Sequence, residues 1–182
     1  MAKDSGYTGL SILHRLYPLY EFLYDDHIVY DEMNTVSLNL VKAALTDLLN
    51  DEDSGIDWTV VNHRHNSIPW THEFKSSRYS KDIGKGIGYW KAEEFSLFAS
   101  PVSEVVFEGL LTEEQKAIWC CLARTVEFIQ NHARSGWRED DVQTFHAMVL
   151  RYSVLVEECR GPTKCVIILH NMSFYLQFQT GL

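Results

Sequence analysis

Hydrophobic positions along this chain change their period several times, and each change marks an expected element. Leu10, Ile12, Leu13, Leu16, Tyr17, Leu19, Tyr20, Phe22 and Leu23 form a dense apolar stretch interrupted by Pro18. That stretch predicts a loop and a short helix, because proline lacks the N–H a helix interior needs. His27, Ile28, Val29 and Tyr30 make a β-branched and aromatic run, which predicts a brief strand near residues 27–31. Val36, Leu38, Leu40, Val41, Ala44, Leu45, Leu48 and Leu49 then recur at helical spacing, and the turn formers from Asn50 to Gly55 close that helix.

A second short strand is expected near residues 58–61. From Asn62 to Gly88 no period is sustained, which predicts a long irregular segment. Beyond Trp90 the pattern is helical: residues 90–109 with a break at Pro101, then 112–134, then 138–159. Thr112 and Gln115 have the spacing of a capping box. The apolar run from Cys165 to Phe178 is read as a last helix, with a strand as the alternative. The expected fold is mainly α, a helical array with at most one or two short strands. It forms a single domain over 1–182, made of a strand and helix part (1–61), a basic loop (62–89) and a helical part (90–182).

Composition supports a folded core, with 46% hydrophobic and 13% aromatic residues. The formal net charge of −9 opposes attraction of phosphates by the surface as a whole. One island departs from it: Arg64, Lys75, Arg78, Lys81, Lys85 and Lys91 face only Glu73 and Asp82, and Trp70, Tyr79 and Trp90 lie among them. Cations interleaved with aromatics track phosphates and stack on unpaired bases. The same island also reads as a solvated loop balancing an acidic protein.

Other motifs narrow the chemistry. Gly84-Lys85-Gly86-Ile87-Gly88 lacks the strand and the Gly-Lys-Ser/Thr ending of a phosphate-binding loop, and reads as a hinge. His63, His65 and His72 have no cysteine nearby to complete a zinc site. Cys120, Cys121, Cys159 and Cys165 show no C-x-x-C spacing and read as reduced, buried thiols. The N-terminal residues lack an apolar signal region, and no apolar run reaches the roughly 18 residues of a membrane span, so no membrane partner and a nuclear or cytoplasmic location are expected.

Two acidic clusters, Asp31-Glu32 and Glu93-Glu94, stand at the starts of expected helices. Carboxylates there complement the helix dipole. They converge on a divalent cation only if the fold brings the two helix starts together.

The order of four motifs resembles the C-terminal part of CACTA-type (En/Spm-like) DNA transposases. These are Gly6 through Leu13, Asp31-Glu32-Met33-Asn34 with Lys42, Trp90-Lys91-Ala92-Glu93-Glu94-Phe95, and Cys165-Val166-Ile167-Ile168-Leu169-His170. The resemblance implies an RNase H-like catalytic core in which carboxylates hold two divalent ions, Mg²⁺ or Mn²⁺, for strand transfer. Asp31 and Glu94 would be the catalytic and metal-binding residues. The family's first two catalytic aspartates would lie ahead of this chain, Asn34 replaces a motif histidine, and Val166 stands where the first terminal histidine would be.

Without those ligands a two-metal mechanism is incomplete. The leading expectation is therefore a transposase-derived, catalytically incomplete nucleic-acid-binding protein, contacting DNA through Arg64, Lys75, Arg78, Lys81, Lys85 and Lys91. Two alternatives stand beside it: a helical protein-interaction or homo-oligomerisation module, and metal-dependent DNA strand transfer.

Overall fold

The computed structural model describes residues 33–69, 83–132 and 137–162, and it is mainly α-helical, with no strand among the described residues. The expected strand at 27–31, the N-terminal apolar stretch and the run from Cys165 to Phe178 lie outside them.

A π-helical stretch, Met33–Val41, runs into α1 (Lys42–Asn50). Val36, Leu40, Val41, Leu45 and Leu48 are its buried hydrophobic positions, the face that the sequence spacing predicts. Gly55, at φ +66°, then reverses the chain into α2 (Trp58–Ser67), a conformation that residues with a Cβ rarely adopt.

α2 corrects two expectations. Residues 58–61 are helical, not a strand, and residues 62–67 are not irregular. Trp58-Thr59-Val60-Val61 carries strand propensity, but Asp57 caps a helix there. Its carboxylate accepts the N–H groups of Thr59 at 2.9 Å and Val60 at 3.3 Å. Val61 and His65, one turn apart, then go inward together. The other end of the expected loop is also helical, as α3 (Ile83–Gly86) followed by a 3₁₀ turn, Ile87–Tyr89.

α4 (Ala92–Leu97) continues through a π-helical stretch, Phe98–Val102, into α5 (Ser103–Val106). The break expected at Pro101 is present: Ser100 leaves helical geometry at φ −148°, ψ 122°, and the Ser100–Pro101 peptide is cis. Here Phe98 is fully buried and forms the hub of an aromatic core. Its ring lies 5.4 Å from Trp90, 5.7 Å from Phe107, 6.0 Å from Trp119 and 6.2 Å from His65.

α6 (Glu113–His132) starts at the capping box the sequence predicts. The Thr112 N–H donates to Gln115 Oε1 at 2.9 Å, and the Gln115 N–H donates to Thr112 Oγ1 at 3.2 Å. Gln115 is itself buried, and its Nε2 reaches the Ser54 carbonyl at 3.2 Å, which fixes the start of α6 to the turn after α1. α7 (Glu139–Arg160) returns antiparallel along α6. His132 faces Asp141 at 3.6 Å, Cys121 Sγ reaches the Met148 carbonyl at 3.8 Å, and Glu114 meets Arg160 at 3.7 Å. Arg160 also pairs with Asp51 at 3.0 Å, so one guanidinium ties together the end of α1, the start of α6 and the end of α7.

Candidate nucleic-acid interface

The basic island is the segment from which the expected site is built, and Arg64, Lys85 and Lys91 are its cations among the described residues. Arg64 sits on α2 with its side chain turned toward the protein. Its Nη1 donates to the carbonyl oxygens of Glu108 at 2.6 Å and Val106 at 3.2 Å, satisfying the acceptors that the end of α5 leaves open. His65, one residue on, is buried in the aromatic core. Its ring stacks on Trp90 at 6.2 Å, and burial pushes its pKa below the ordinary 6.5, favouring the neutral imidazole. His63 is exposed on the other side of the helix. Lys75, Arg78, Lys81, His72, Trp70 and Tyr79 lie outside the described residues.

Trp90 is not a stacking platform, which corrects the sequence expectation. It is 4% exposed and packs 5.4 Å from Phe95 as well as against Phe98. Its neighbour Tyr89 is the exposed aromatic of the island among the described residues, at 85% exposed. The reason is local geometry. A 3₁₀ turn repeats every three residues, so Ile87 and Trp90 fall on one side, and both are buried. The Trp90 N–H donates to the Ile87 carbonyl at 3.1 Å and closes the turn, which leaves Gly88 and Tyr89 pointing outward.

Lys85 and Lys91, both exposed, flank this tyrosine in sequence. Ile83, at the start of the same segment, is fully buried, and its N–H donates to Asn62 Oδ1 at 2.7 Å. The exposed ring and its two lysines thus stand on a short, anchored support.

Glu94 is 5% exposed, and its carboxylate accepts the backbone N–H of Lys91. It satisfies a donor that the start of α4 leaves open, as a glutamate at the third helical position does. Glu93 beside it is exposed. Asp31 lies outside the described residues, and with it the distance between Asp31 and Glu94. Among the described residues no three His, Cys, Asp or Glu side chains gather where they could hold a metal ion. A two-metal site needs several oxygen ligands around each cation, so the described residues do not supply the set that Mg²⁺ or Mn²⁺ requires.

The cysteines also differ from expectation. Cys120, Cys121 and Cys159 are free thiols, but each is half-buried, not enclosed. Among the described residues no helix is long and apolar enough to cross a membrane.

The exposed tyrosine on its pinned turn was missed at the sequence level. Its one signal there is the spacing of Ile87 and Trp90, three residues apart around a glycine and an aromatic. No family model matches this chain, and no curated protein or solved structure matches it either.

Proposed function

We propose that this chain is a transposase-derived, catalytically incomplete protein that binds DNA, with Tyr89, Lys85 and Lys91 at the centre of the contact. The observation that carries the reading is Tyr89, 85% exposed between two exposed lysines, on a turn anchored by the buried Ile87 and Trp90. A ring held outward on rigid backbone stacks on a base with little ordering cost, and lysines beside it meet the flanking phosphates. Single-stranded DNA fits this pattern better than duplex, because stacking requires an unpaired base face. Lys75, Arg78 and Lys81 are adjacent in sequence and extend the same positive segment.

Fluorescence anisotropy with single-stranded and duplex oligonucleotides across a salt series tests the reading. Expected are tighter binding to the single strand and a linear fall of log affinity with log salt. Tyr89→Ala weakens single-strand binding by about 1–3 kcal/mol while preserving the salt slope. Lys91→Gln reduces that slope. Absence of binding at low salt overturns the proposal.

A second reading, a helical interaction module, is favoured by one observation on α7. Ala147, Leu150 and Val154 are exposed along its outer face, with Leu150 at 43% and Val154 at 50%. Residues at this spacing form an apolar stripe able to pack against another helix. Light scattering that gives a monomer mass at high concentration, unchanged in L150E/V154E, counts against it.

A further inference from the structure

The groove between α6 and α7 has a composition that neither the fold nor the proposed DNA contact explains. It is a cavity of about 440 Å³, with Lys116, Arg124, Arg151 and Glu113 around it and Ala117, Cys120, Cys121, Met148 and Leu155 forming the remaining walls. Lys116, Cys120 and Arg124 recur every four residues on α6, so they share one face; Met148, Arg151 and Leu155 approach from α7.

Several charges at the helix ends are paired among the described residues: Arg160 with Asp51 and Glu114, and Asp141 with His132 and Arg138. Among the described residues, the side chains of Lys116, Arg124 and Arg151 make no hydrogen bond or ion pair. Three cations therefore face one carboxylate, Glu113, in a chain whose net charge is −9. Their fields overlap. Burial pushes the Cys121 thiol pKa up, while Arg151 and Arg124, one from each helix, both pull it down.

We propose that this groove binds a small organic anion, a phosphate or carboxylate carried on an apolar body. Lys116, Arg124 and Arg151 surround the anionic group, and Met148 and Leu155 contact the body. In concave ligand sites an apolar lining supplies contact area, and a few convergent polar groups select the ligand. The guanidiniums suit either head group, since both phosphate and carboxylate offer paired oxygens to a planar donor fork. The volume suits a compact molecule, not an extended chain. A second cavity of about 320 Å³ adjoins it across the Lys116, Cys120 and Arg124 face, with Phe107, Leu111 and Trp119 as apolar walls and Glu104, Glu108 and Glu113 also lining it. A longer apolar body would extend there.

The full chain provides the test, because Cys120 borders the cavity and is half-buried. The rate of iodoacetamide alkylation at Cys120 is followed by peptide mass spectrometry with phenyl phosphate, benzoate, inorganic phosphate or benzyl alcohol present. Protection by phenyl phosphate or benzoate is expected, and whichever protects at the lower concentration identifies the head group. Inorganic phosphate and benzyl alcohol each lack half of the recognised chemistry and protect more weakly. Arg151→Gln and Arg124→Gln, at exposed side chains without partners, keep the unfolding midpoint but raise the protecting concentration roughly tenfold each, as loss of one charge-assisted contact does.

Results of three kinds overturn the proposal. One is no protection by either aromatic anion. Another is protection that persists unchanged in R124Q/R151Q, or that benzyl alcohol reproduces. The third is protection by a single-stranded oligonucleotide without protection by the small anions, which would assign the groove to nucleic acid. Loss of DNA binding in Tyr89→Ala leaves the small-anion result untouched, so the two sites are tested separately.

Discussion

Arg64 Nη1 donates to the Glu108 carbonyl oxygen at 2.6 Å, a contact between α2 and the residues just after α5, forty-four positions apart in the chain. The same nitrogen reaches the Val106 carbonyl at 3.2 Å. A guanidinium here does what a C-terminal helix cap does, from a distant element. Arg64→Ala leaves those carbonyls to water and is expected to lower the unfolding free energy by about 2 kcal/mol, within the range of hydrogen bonds to charged groups. Urea denaturation measures this, and Arg64→Lys, which keeps the charge but loses the planar fork, recovers only part of it. An unchanged midpoint in Arg64→Ala would deny the cap its role.

His65 gives the fold a pH dependence. Burial lowers its pKa below 6.5 in the folded protein, while the unfolded chain titrates near that ordinary value. Between the two values the unfolded state binds more protons, so stability falls as pH drops below about 6.5 and continues to fall until the folded histidine also titrates. Melting temperatures between pH 7.5 and pH 5 should decline, and the decline should shrink in His65→Gln. An identical pH profile in the two proteins would place the proton elsewhere.

At the hub of the aromatic core, Phe98 packs against four rings, those of His65, Trp90, Phe107 and Trp119. Phe98→Ala removes the edge-on contacts to Phe107 and Trp119 and leaves a cavity beside Trp90. The expected cost is about 3–5 kcal/mol, against less than about 1.5 kcal/mol for Phe98→Leu, which keeps most of the volume. A red shift of the tryptophan emission should accompany the larger change. Equal costs for Ala and Leu would mean the site collapses around the loss.

Asp141 caps the first turn of α7 and faces His132 at the end of α6. Its carboxylate accepts the Arg138 backbone N–H at 2.9 Å, and this bond holds its pKa below the ordinary 3.8, helped by the charges of Arg138 and His132. A depressed carboxylate contributes stability above its unfolded value and loses it as pH falls through the lower folded value. Hydrogen exchange in residues 139–143 should therefore accelerate only below about pH 4, earlier than global unfolding. In Asp141→Ala the same amides should already exchange fast at pH 6. Protection unaffected by the substitution would show that the rest of the first turn suffices.

Much of this architecture was readable in the chain itself. Periodic burial in α6 and α7, the Thr112–Gln115 box and the break before Pro101 are local properties. Capping spacing and helical period act between residues at most four positions apart, so the sequence carries them directly. The mainly α class follows from the same patterns. Tertiary packing decided what local rules could not. Trp58 through Val61 carry strand-forming residues, yet Asp57 and the burial of Val61 and His65 make them helical. Arg64 and His65, neighbours within a basic segment, part company because one finds carbonyls at and just after the end of α5 and the other a tryptophan face.

The candidate contacts divide in the same way. The sequence identified the charge island and placed Lys85 and Lys91 within it. Only the packing of Ile87 and Trp90 decided that Tyr89 is the ring presented to solvent. The α6–α7 groove had no sequence signature at all, since its three cations are distributed over two helices and thirty-six positions. Charge and period are properties of residues in order. Convergence is a property of distance, and distance between remote residues exists only after the core has formed.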